Sequence, residues 1–293
     1  MLILTVGEAL QRASFYLRRA QIDQPRLEAE LLLSWLTGRS RIQLLLDRQQ
    51  PLPVEIVSDF IEAVARRCQG EPLAYITGEK EFYGRHFYVN QDVLVPRPET
   101  EFVVEAALAW ARELGLASGE GINLIDLGTG SGILAITLTC MLPAARAWAV
   151  DISERALKVA IQNAERHGVA ERITWCCGNY FQALHKLSSY PRFNLVVGNP
   201  PYVQSRAMAS LPVTVKDFEP ALALDGGEDG LDGYRAILQD LSRHIQSPGL
   251  LALEFGAGQY ELLQEICRET NLFQNISYQR DYQGWPRVLL GLF

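Results

Sequence analysis

The first 70 residues carry apolar side chains at the spacing of one helix face, with polar residues between them. Thr5 and Glu8 have the spacing of a capping box, which predicts a helix that continues to about Arg19. The apolar positions that follow the helical period are Leu27, Leu31, Leu32, Trp35, Leu36, Ile56, Phe60, Ile61, Val64 and Ala65. We therefore predict a small helical domain over residues 1–75.

Residues 76–100 have a different pattern. Aromatic residues occur on both sides of Gly84, as they do in a β-hairpin. Pro96 and Pro98 disfavour helical structure before this point, and the sequence Arg-Pro-Glu-Thr-Glu at 97–101 then opens a helix. We predict a hairpin and a linker between two domains.

From residue 121 onward, short apolar strands alternate with amphipathic helices. The predicted strands are 122–127, 147–150, 173–176, 193–198 and 250–254, the predicted helices are about 132–142, 154–167, 232–246 and 259–270, and two apolar stretches follow at 275–278 and 287–293. Such alternation is typical of a mostly parallel sheet that is covered on both faces. The prediction for residues 101–293 is therefore an α/β domain with a doubly wound, mostly parallel, seven-stranded Rossmann-like sheet.

Composition narrows the possible partners. The chain is 48% hydrophobic and has a formal net charge of −7, whereas a phosphate-binding surface usually carries a basic excess. No apolar run reaches the roughly 20 residues of a membrane helix, and the first residues do not resemble a signal sequence. The five cysteines form no CxxC pair. We expect a cytoplasmic protein without membrane association, stable nucleic-acid binding or a metal.

A glycine-rich turn lies between the first strand of the sheet and the next helix. Its candidate cofactor-binding residues are Asp126, Gly128, Thr129, Gly130, Ser131 and Gly132. Glycines allow the backbone to turn sharply and approach a ligand, and Asp151 at the end of the second strand can accept hydrogen bonds from ribose hydroxyls. Together these residues indicate a nucleoside-containing ligand, and their spacing alone does not separate a dinucleotide from S-adenosylmethionine. The G-x-G-x-G pattern behind an acid suits the cationic methionyl group of S-adenosylmethionine better than a pyrophosphate. The alternative is a tight turn that binds no ligand.

Asn179 and Tyr180 follow the third strand at the same carboxyl edge of the sheet. Asn179 could hydrogen-bond to an adenine amine, and Tyr180 could pack against the ring. An ordinary loop with an aromatic residue in the core explains the pair equally well.

Asn199-Pro200-Pro201-Tyr202 directly follows the fourth strand. The prolines stiffen the backbone and lack amide donors, so the carbonyls of Asn199 and Pro200 are free to accept. A planar amide or aromatic amine is a poor nucleophile. Acceptors that hold both of its N–H groups would position the nitrogen and stabilise its developing charge, with Tyr202 as a stacking surface. We predict a catalytic and substrate-binding role for this tetrapeptide; the alternative is a proline-stiffened strand exit.

These motifs occur together in a known family. The segments that carry the resemblance are residues 72–78 (Pro-Leu-Ala-Tyr-Ile-Thr-Gly), 95–101, 126–132, 199–202, Glu219-Pro220 and 229–234. Over its whole length the chain resembles the bacterial release-factor glutamine methyltransferases, the PrmC or HemK family. The tetrapeptide alone is shared with DNA adenine methyltransferases, whereas its combination with Arg97-Pro98-Glu99-Thr100-Glu101 is much more specific.

The resemblance implies a class I methyltransferase fold and a role in translation termination. S-adenosylmethionine would be the methyl donor, and the acceptor would be the side-chain amide nitrogen (N5) of the glutamine in the Gly-Gly-Gln motif of class-one release factors. It also implies that Asn199 and Tyr180 meet the cofactor and that residues 199–202 hold the glutamine. Members of the family commonly have an acid at position 179 and often Trp at position 180, a departure that puts cofactor affinity in question.

Other assignments concern the surroundings of the site. Arg97 and Glu99 are expected to border the substrate pocket; alternatively, they pair with neighbours in a linker. The helical domain is expected to recognise the protein substrate. Residues 225–230 are expected to form a flexible loop that could lie near the cavity.

Two other functions use the same motifs. A DNA or RNA adenine N6-methyltransferase shares the tetrapeptide, but such enzymes contact phosphates and usually carry a target-recognition domain. A nucleoside-binding adaptor without activity is the third possibility, which the retained tetrapeptide disfavours.

Overall fold

The computed structural model describes residues 4–185, 187 and 191–293. These residues fall into two compact units. One contains the chain up to Glu79 together with Pro212–Phe218, and the other contains Lys80–Leu211 and Glu219–Phe293.

The first unit is helical, as predicted. Its N-terminal helices are α1 Val6–Arg19, α2 Pro25–Thr37, α3 Arg41–Leu46, α4 Val54–Cys68 and α5 Leu73–Thr77. The capping box at Thr5 is confirmed: the Glu8 amide donates to the Thr5 hydroxyl at 3.3 Å, and the Thr5 amide donates to the Glu8 carboxylate at 2.9 Å. Leucines from α1, α2 and α3 form a buried core with Phe60 of α4. The short helices α3 and α5 lie outside the predicted set.

The predicted hairpin is present as β1 Glu79–Phe82 and β2 Arg85–Tyr88. The turn between the strands places Gly84 at φ +70°, a conformation that glycine adopts without strain. Phe82 and Phe87 are fully buried and pack edge to face, with 6.2 Å between ring centroids. Two of the aromatic residues around Gly84 are therefore part of the core, whereas Tyr83 and Tyr88 are only partly buried.

The second unit contains a seven-stranded sheet within the described ranges. In chain order its elements are α6 Glu101–Glu113, β3 Asn123–Leu127, α7 Ile133–Met141, β4 Arg146–Asp151, α8 Glu154–Arg166, β5 Ile173–Cys177, β6 Phe193–Gly198, α10 Asp232–His244, β7 Ile245–Glu254, α11 Tyr260–Glu269, β8 Asn275–Arg280 and β9 Pro286–Leu292; α9 Val213–Lys216 belongs to the first unit. The strand order is β5-β4-β3-β6-β7-β9-β8, and β9 runs antiparallel to both neighbours. The predicted fold class is confirmed.

Both faces of the sheet are covered. One buried cluster includes side chains of α6 and α7, such as Phe102 and Leu134. The other includes Tyr234 and Leu241 of α10 and Leu263 of α11. The chain proceeds outward from β3 through β4 to β5 and then returns to β6 on the other side of β3, so the switch in strand order lies between β3 and β6. Ligands of open α/β sheets bind at the carboxyl edge beside such a switch.

Candidate active site

A cavity of about 630 Å³ opens at the carboxyl ends of β3, β4, β5 and β6. This volume lies within the range of small-molecule sites. The predicted cofactor residues that line it are Asp126, Gly128, Thr129, Gly130, Ser131, Asp151, Asn179, Tyr180 and Asn199. The structure thus brings together nearly all of the positions selected from the sequence.

Gly132 lies outside the lining and has a packing role. It adopts φ +86°, and a Cβ at this position would stand 2.7 Å from Cδ1 of Ile136 and 3.2 Å from Cβ of Ala160. Only a glycine lets α7 begin so close to α8. This packing explains why a glycine stands here, and its predicted contact with the cofactor stays a prediction.

Asp126 is the buried acid of the glycine-rich turn. One of its carboxylate oxygens, Oδ2, accepts from the Thr129 hydroxyl at 2.6 Å and from the Ala135 amide at 3.1 Å. Oδ1 is buried and has no hydrogen-bond partner among the described residues. Burial raises the pKa of Asp126 to about 7. A cationic donor at Oδ1 would favour the ionised form.

Asp151 ends β4 and is held by backbone amides. Gly130 N donates to Oδ2 at 2.8 Å, and Ser153 N donates to Oδ1 at 2.9 Å. Burial raises the pKa of Asp151 above its ordinary value. Each oxygen retains a second lone pair, so the carboxylate both fixes the glycine-rich turn and can accept from a ligand hydroxyl.

Tyr180 adopts φ +44°, in the left-handed region. A Cβ on Gly128 would lie 3.9 Å from Cε1 of Tyr180, so the ring stands beside the glycine-rich turn. Burial raises the pKa of Tyr180 to about 12, which keeps the hydroxyl neutral. Asn179, by contrast, is exposed at the rim of the cavity.

Asn199 and Pro201 line the cavity at the end of β6, whereas Pro200 and Tyr202 lie outside its lining. The Asn199 side-chain Nδ2 donates to the Thr100 hydroxyl at 3.2 Å. The Tyr202 hydroxyl donates to the carboxylate of Glu254 at 3.4 Å, and the ring packs against buried residues. The tetrapeptide therefore presents its first residue to the cavity and anchors its last one in the interior.

Arg97 lines the cavity and also pairs with a neighbour. Its guanidinium Nη2 donates to Oε1 of the buried Glu219 at 2.6 Å, and Val95 N donates to Oε2 at 3.1 Å. Glu99 lies outside the lining. Arg97, one of the two predicted substrate contacts, therefore lies at the cavity. It also forms an ion pair with a neighbour, Glu219, as the alternative interpretation of a linker predicts.

The loop that precedes α10 covers part of the site, since Asp225, Gly226 and Gly227 line the cavity. Val203 and Asp225 form a strand-like bridge. The Gln259 amide nitrogen donates to the carbonyl oxygens of Tyr202 at 3.1 Å and Gly230 at 3.3 Å. Gln259 thereby connects the tetrapeptide to the loop.

The sequence analysis did not identify the residues that hold the site in place through hydrogen bonds: Thr100, Glu219, Glu254 and Gln259. Thr100 and Glu219 belong to the segments that carry the family resemblance, but a sequence motif does not show which residues its members contact. Glu254 ends an apolar strand with an acid at the carboxyl edge of the sheet, a signal that could have identified it.

The described part of the chain contains no group of three or more His, Cys, Asp or Glu side chains that could hold a metal ion. None of its helices is long and apolar enough to cross a membrane.

The fold and the site together define a class I methyltransferase that uses S-adenosylmethionine. The N-terminal domain of human METTL16 in complex with SAH has a similar fold, with a TM-score of 0.53 at 13% identity over 83% of this chain and 85% of that one. A family profile described as ribosomal protein L11 methyltransferase (PrmA) matches residues 107–199, and one described as PrmC N-terminal domain matches residues 8–78.

Full-length relatives give the family. The release factor glutamine methyltransferase of Moorella thermoacetica is 39% identical over 98% of both chains. That of Chlorobaculum tepidum is 37% identical over 98% of this chain and 97% of its own length. The chain belongs to the release factor glutamine methyltransferase family.

Proposed function

We propose that this enzyme methylates the side-chain amide nitrogen (N5) of the glutamine in the Gly-Gly-Gln motif of class-one peptide chain release factors. The observation that carries the proposal is the match, over 98% of both chains, to relatives named release factor glutamine methyltransferase. The site agrees with it, because Asn199 stands in the same cavity as the glycine-rich turn.

The cofactor residues fit S-adenosylmethionine, which supplies an electrophilic methyl group on a sulfonium when bound. Asp126 has a buried oxygen without a partner, which suits the ammonium of the methionyl part. Asp151 would accept from the ribose hydroxyls and Asn179 would accept from the adenine amine. Tyr180 would pack against the base.

The target amide needs acceptors rather than a strong base. Its nitrogen gains positive charge as the methyl group is transferred, and the proton can leave afterwards. We infer that the Asn199 side-chain oxygen and the Pro200 carbonyl accept from the two N–H groups and so hold the nitrogen in line. Pro201 and Tyr202 would shape the pocket, and Arg97 and Glu99 would border the entrance for the substrate backbone.

The helical unit would recognise the release factor. Large apolar side chains stand exposed on it, including Ile42 at 71% and Leu46 at 80% exposure. Ile42, Leu45 and Leu46 have the i, i+3, i+4 spacing of one face of α3, and exposed apolar side chains grouped in this way are typical of protein-binding surfaces. A cytoplasmic location and the absence of stable nucleic-acid binding accompany this function, in line with the net charge of −7.

Adenine methylation is the alternative that shares the tetrapeptide. The relatives from Moorella thermoacetica and Chlorobaculum tepidum, which match over 98% of this chain, are release factor glutamine methyltransferases, and the likeness to METTL16 at 13% identity concerns the fold alone. No observation favours a nucleic-acid substrate.

Mass spectrometry tests the proposal. Intact release factor incubated with enzyme and S-adenosylmethionine should gain one methyl group on the Gly-Gly-Gln glutamine, while DNA and RNA oligonucleotides remain unmodified. Asn199→Ala should lower the single-turnover rate by about 10² to 10³, the usual cost of losing a positioned polar group that acts in the transition state. Methylated DNA beside unmodified release factor would overturn the assignment.

A further inference from the structure

Thr100 is fully buried in the segment that precedes α6, yet its hydroxyl belongs to a polar chain that reaches the cavity. Its Oγ1 donates to the Glu254 carboxylate Oε2 at 2.6 Å and accepts from Asn199 Nδ2 at 3.2 Å. A continuous series of hydrogen bonds therefore connects the buried acid Glu254, through the Thr100 hydroxyl, to Asn199, the residue that would hold the target amide.

The chemistry of these groups gives the chain a direction. Burial raises the pKa of Glu254 to about 7, so the carboxyl is ionised above that pH, and both of its oxygens accept from hydroxyl groups. An ionised carboxylate can only accept, so the single hydroxyl proton of Thr100 is directed to Glu254. The remaining lone pairs of Thr100 can only accept, and the amide NH₂ of Asn199 is the group that can donate to them. The Asn199 oxygen is then the atom left for the cavity.

The second carboxylate oxygen supports the same arrangement. Glu254 Oε1 accepts from the Tyr202 hydroxyl at 3.4 Å, and the Tyr234 hydroxyl donates to the Glu254 carbonyl oxygen at 2.7 Å. Glu254 thus joins both ends of the tetrapeptide to the end of β7, and Tyr234 fixes its backbone from α10.

We propose that Glu254 and Thr100 are positioning residues for methyl transfer, which set the Asn199 side chain with its oxygen, not its NH₂, toward the target nitrogen. The inference rests on the proposed function. A reversed amide would place an NH₂ group against the NH₂ of the substrate glutamine, and two donors cannot bond to each other. The polarity of the buried chain therefore decides whether the site can hold its substrate.

A matched pair at Thr100 tests the proposal. Thr100→Val keeps the shape of the side chain but removes both hydrogen bonds, and should lower kcat on intact release factor by about 10²-fold through loss of orientation. Thr100→Ser returns the hydroxyl and should restore most of the rate. The Kd of S-adenosylmethionine, measured by calorimetry, should stay within about threefold in both, which also reports on folding.

Glu254→Gln tests the other end of this series of hydrogen bonds. It leaves one acceptor oxygen for two hydroxyl donors, so kcat should fall. The Tyr202 hydroxyl contacts Glu254 only at 3.4 Å, a weak hydrogen bond, so Glu254 acts on the site chiefly through Thr100. The double variant Thr100→Val/Glu254→Gln should therefore be no slower than Thr100→Val alone, within about twofold. Wild-type kcat in Thr100→Val overturns the proposal, wild-type kcat in Glu254→Gln removes Glu254 from it, and losses that multiply show that the two residues act separately.

The wild-type enzyme assayed in parallel separates the two claims. If it leaves release factor unmethylated, the proposed function fails and the inference fails with it. If it methylates release factor and Thr100→Val does so at the same rate, the inference alone fails.

Discussion

At the scale of single residues, two acids show how burial and partners together set chemistry. Burial raises the pKa of both Asp126 and Glu254 to about 7. Both oxygens of Glu254 accept from hydroxyl groups, whereas Asp126 Oδ1 has no partner among the described residues. Glu254 therefore acts within the protein, and Asp126 is available to a ligand.

Asp126 should make cofactor binding depend on pH. Its carboxyl is ionised above pH 7 and neutral below it, and a cationic ligand binds the ionised form. The Kd of S-adenosylmethionine should therefore rise as the pH is lowered from about 8 to about 6, approaching tenfold for each unit below the pKa. Calorimetry across this range measures the effect.

Asp126→Asn provides the control, because it keeps the shape and has no charge to titrate. It should bind the cofactor more weakly at pH 8 and with a flat pH dependence. The same slope in the variant as in the wild type would assign the titration to another group, such as Asp151.

At the scale of elements, the first turn of α10 joins the two halves of the site. A Cβ on Gly233 would lie 2.7 Å from the Tyr180 hydroxyl and 3.1 Å from Cβ of Pro200. One residue thus lies against both the cofactor side and the tetrapeptide. The first turn of α10 can approach Tyr180 and Pro200 this closely because Gly233 has no side chain.

Gly233→Ala should disturb both halves at once. Overpacking of this kind costs about 1–3 kcal/mol, and here the strain displaces Tyr180 and Pro200. We expect weaker cofactor binding and a lower kcat together, measured by calorimetry and by single-turnover methylation. Gln239→Ala, on the exposed face of the same helix, is the matched control and should change neither. A normal rate with normal affinity in Gly233→Ala would mean that the turn adjusts freely.

In the molecule as a whole, the cavity and the exposed apolar side chains lie in different units. The residues that line the cavity belong to the second unit, while the helical unit carries exposed apolar side chains on α3 such as Ile42, Leu45 and Leu46. If the helical unit recognises the protein partner, as proposed above, chemistry and recognition can be changed separately.

Ile42→Ser/Leu46→Ser tests this division. If these side chains are buried against the release factor, their loss should raise KM for the intact substrate on the order of tenfold or more. KM for a short Gly-Gly-Gln peptide and kcat should be unchanged, because the site itself is intact. A change in peptide kinetics of the same size would place these residues in a structural role instead.

Most of the fold could be predicted from periodicity, because strands and helices of an α/β domain differ in the spacing of their apolar residues. The sheet strands, the hairpin around Gly84 and the capped first helix all follow from local pattern. The short segments Ser205–Ser210 and Ala221–Ala223 lie outside the predicted elements, since each is too short for a periodic signal.

The candidate site divides in the same way. The glycine-rich turn, Asp151 and the tetrapeptide are recognisable in the sequence because each is a local motif whose chemistry depends on neighbouring residues. Thr100, Glu254 and Gln259 are not, because their roles depend on contacts between segments far apart in the chain: Thr100 meets a carboxylate 154 positions away. Local motifs were enough to identify the groups that could hold a cofactor and a planar amide. The direction of the hydrogen bonds behind Asn199 depends on folded contacts, because the acceptor of a single hydroxyl proton is set by the partners that folding brings to it.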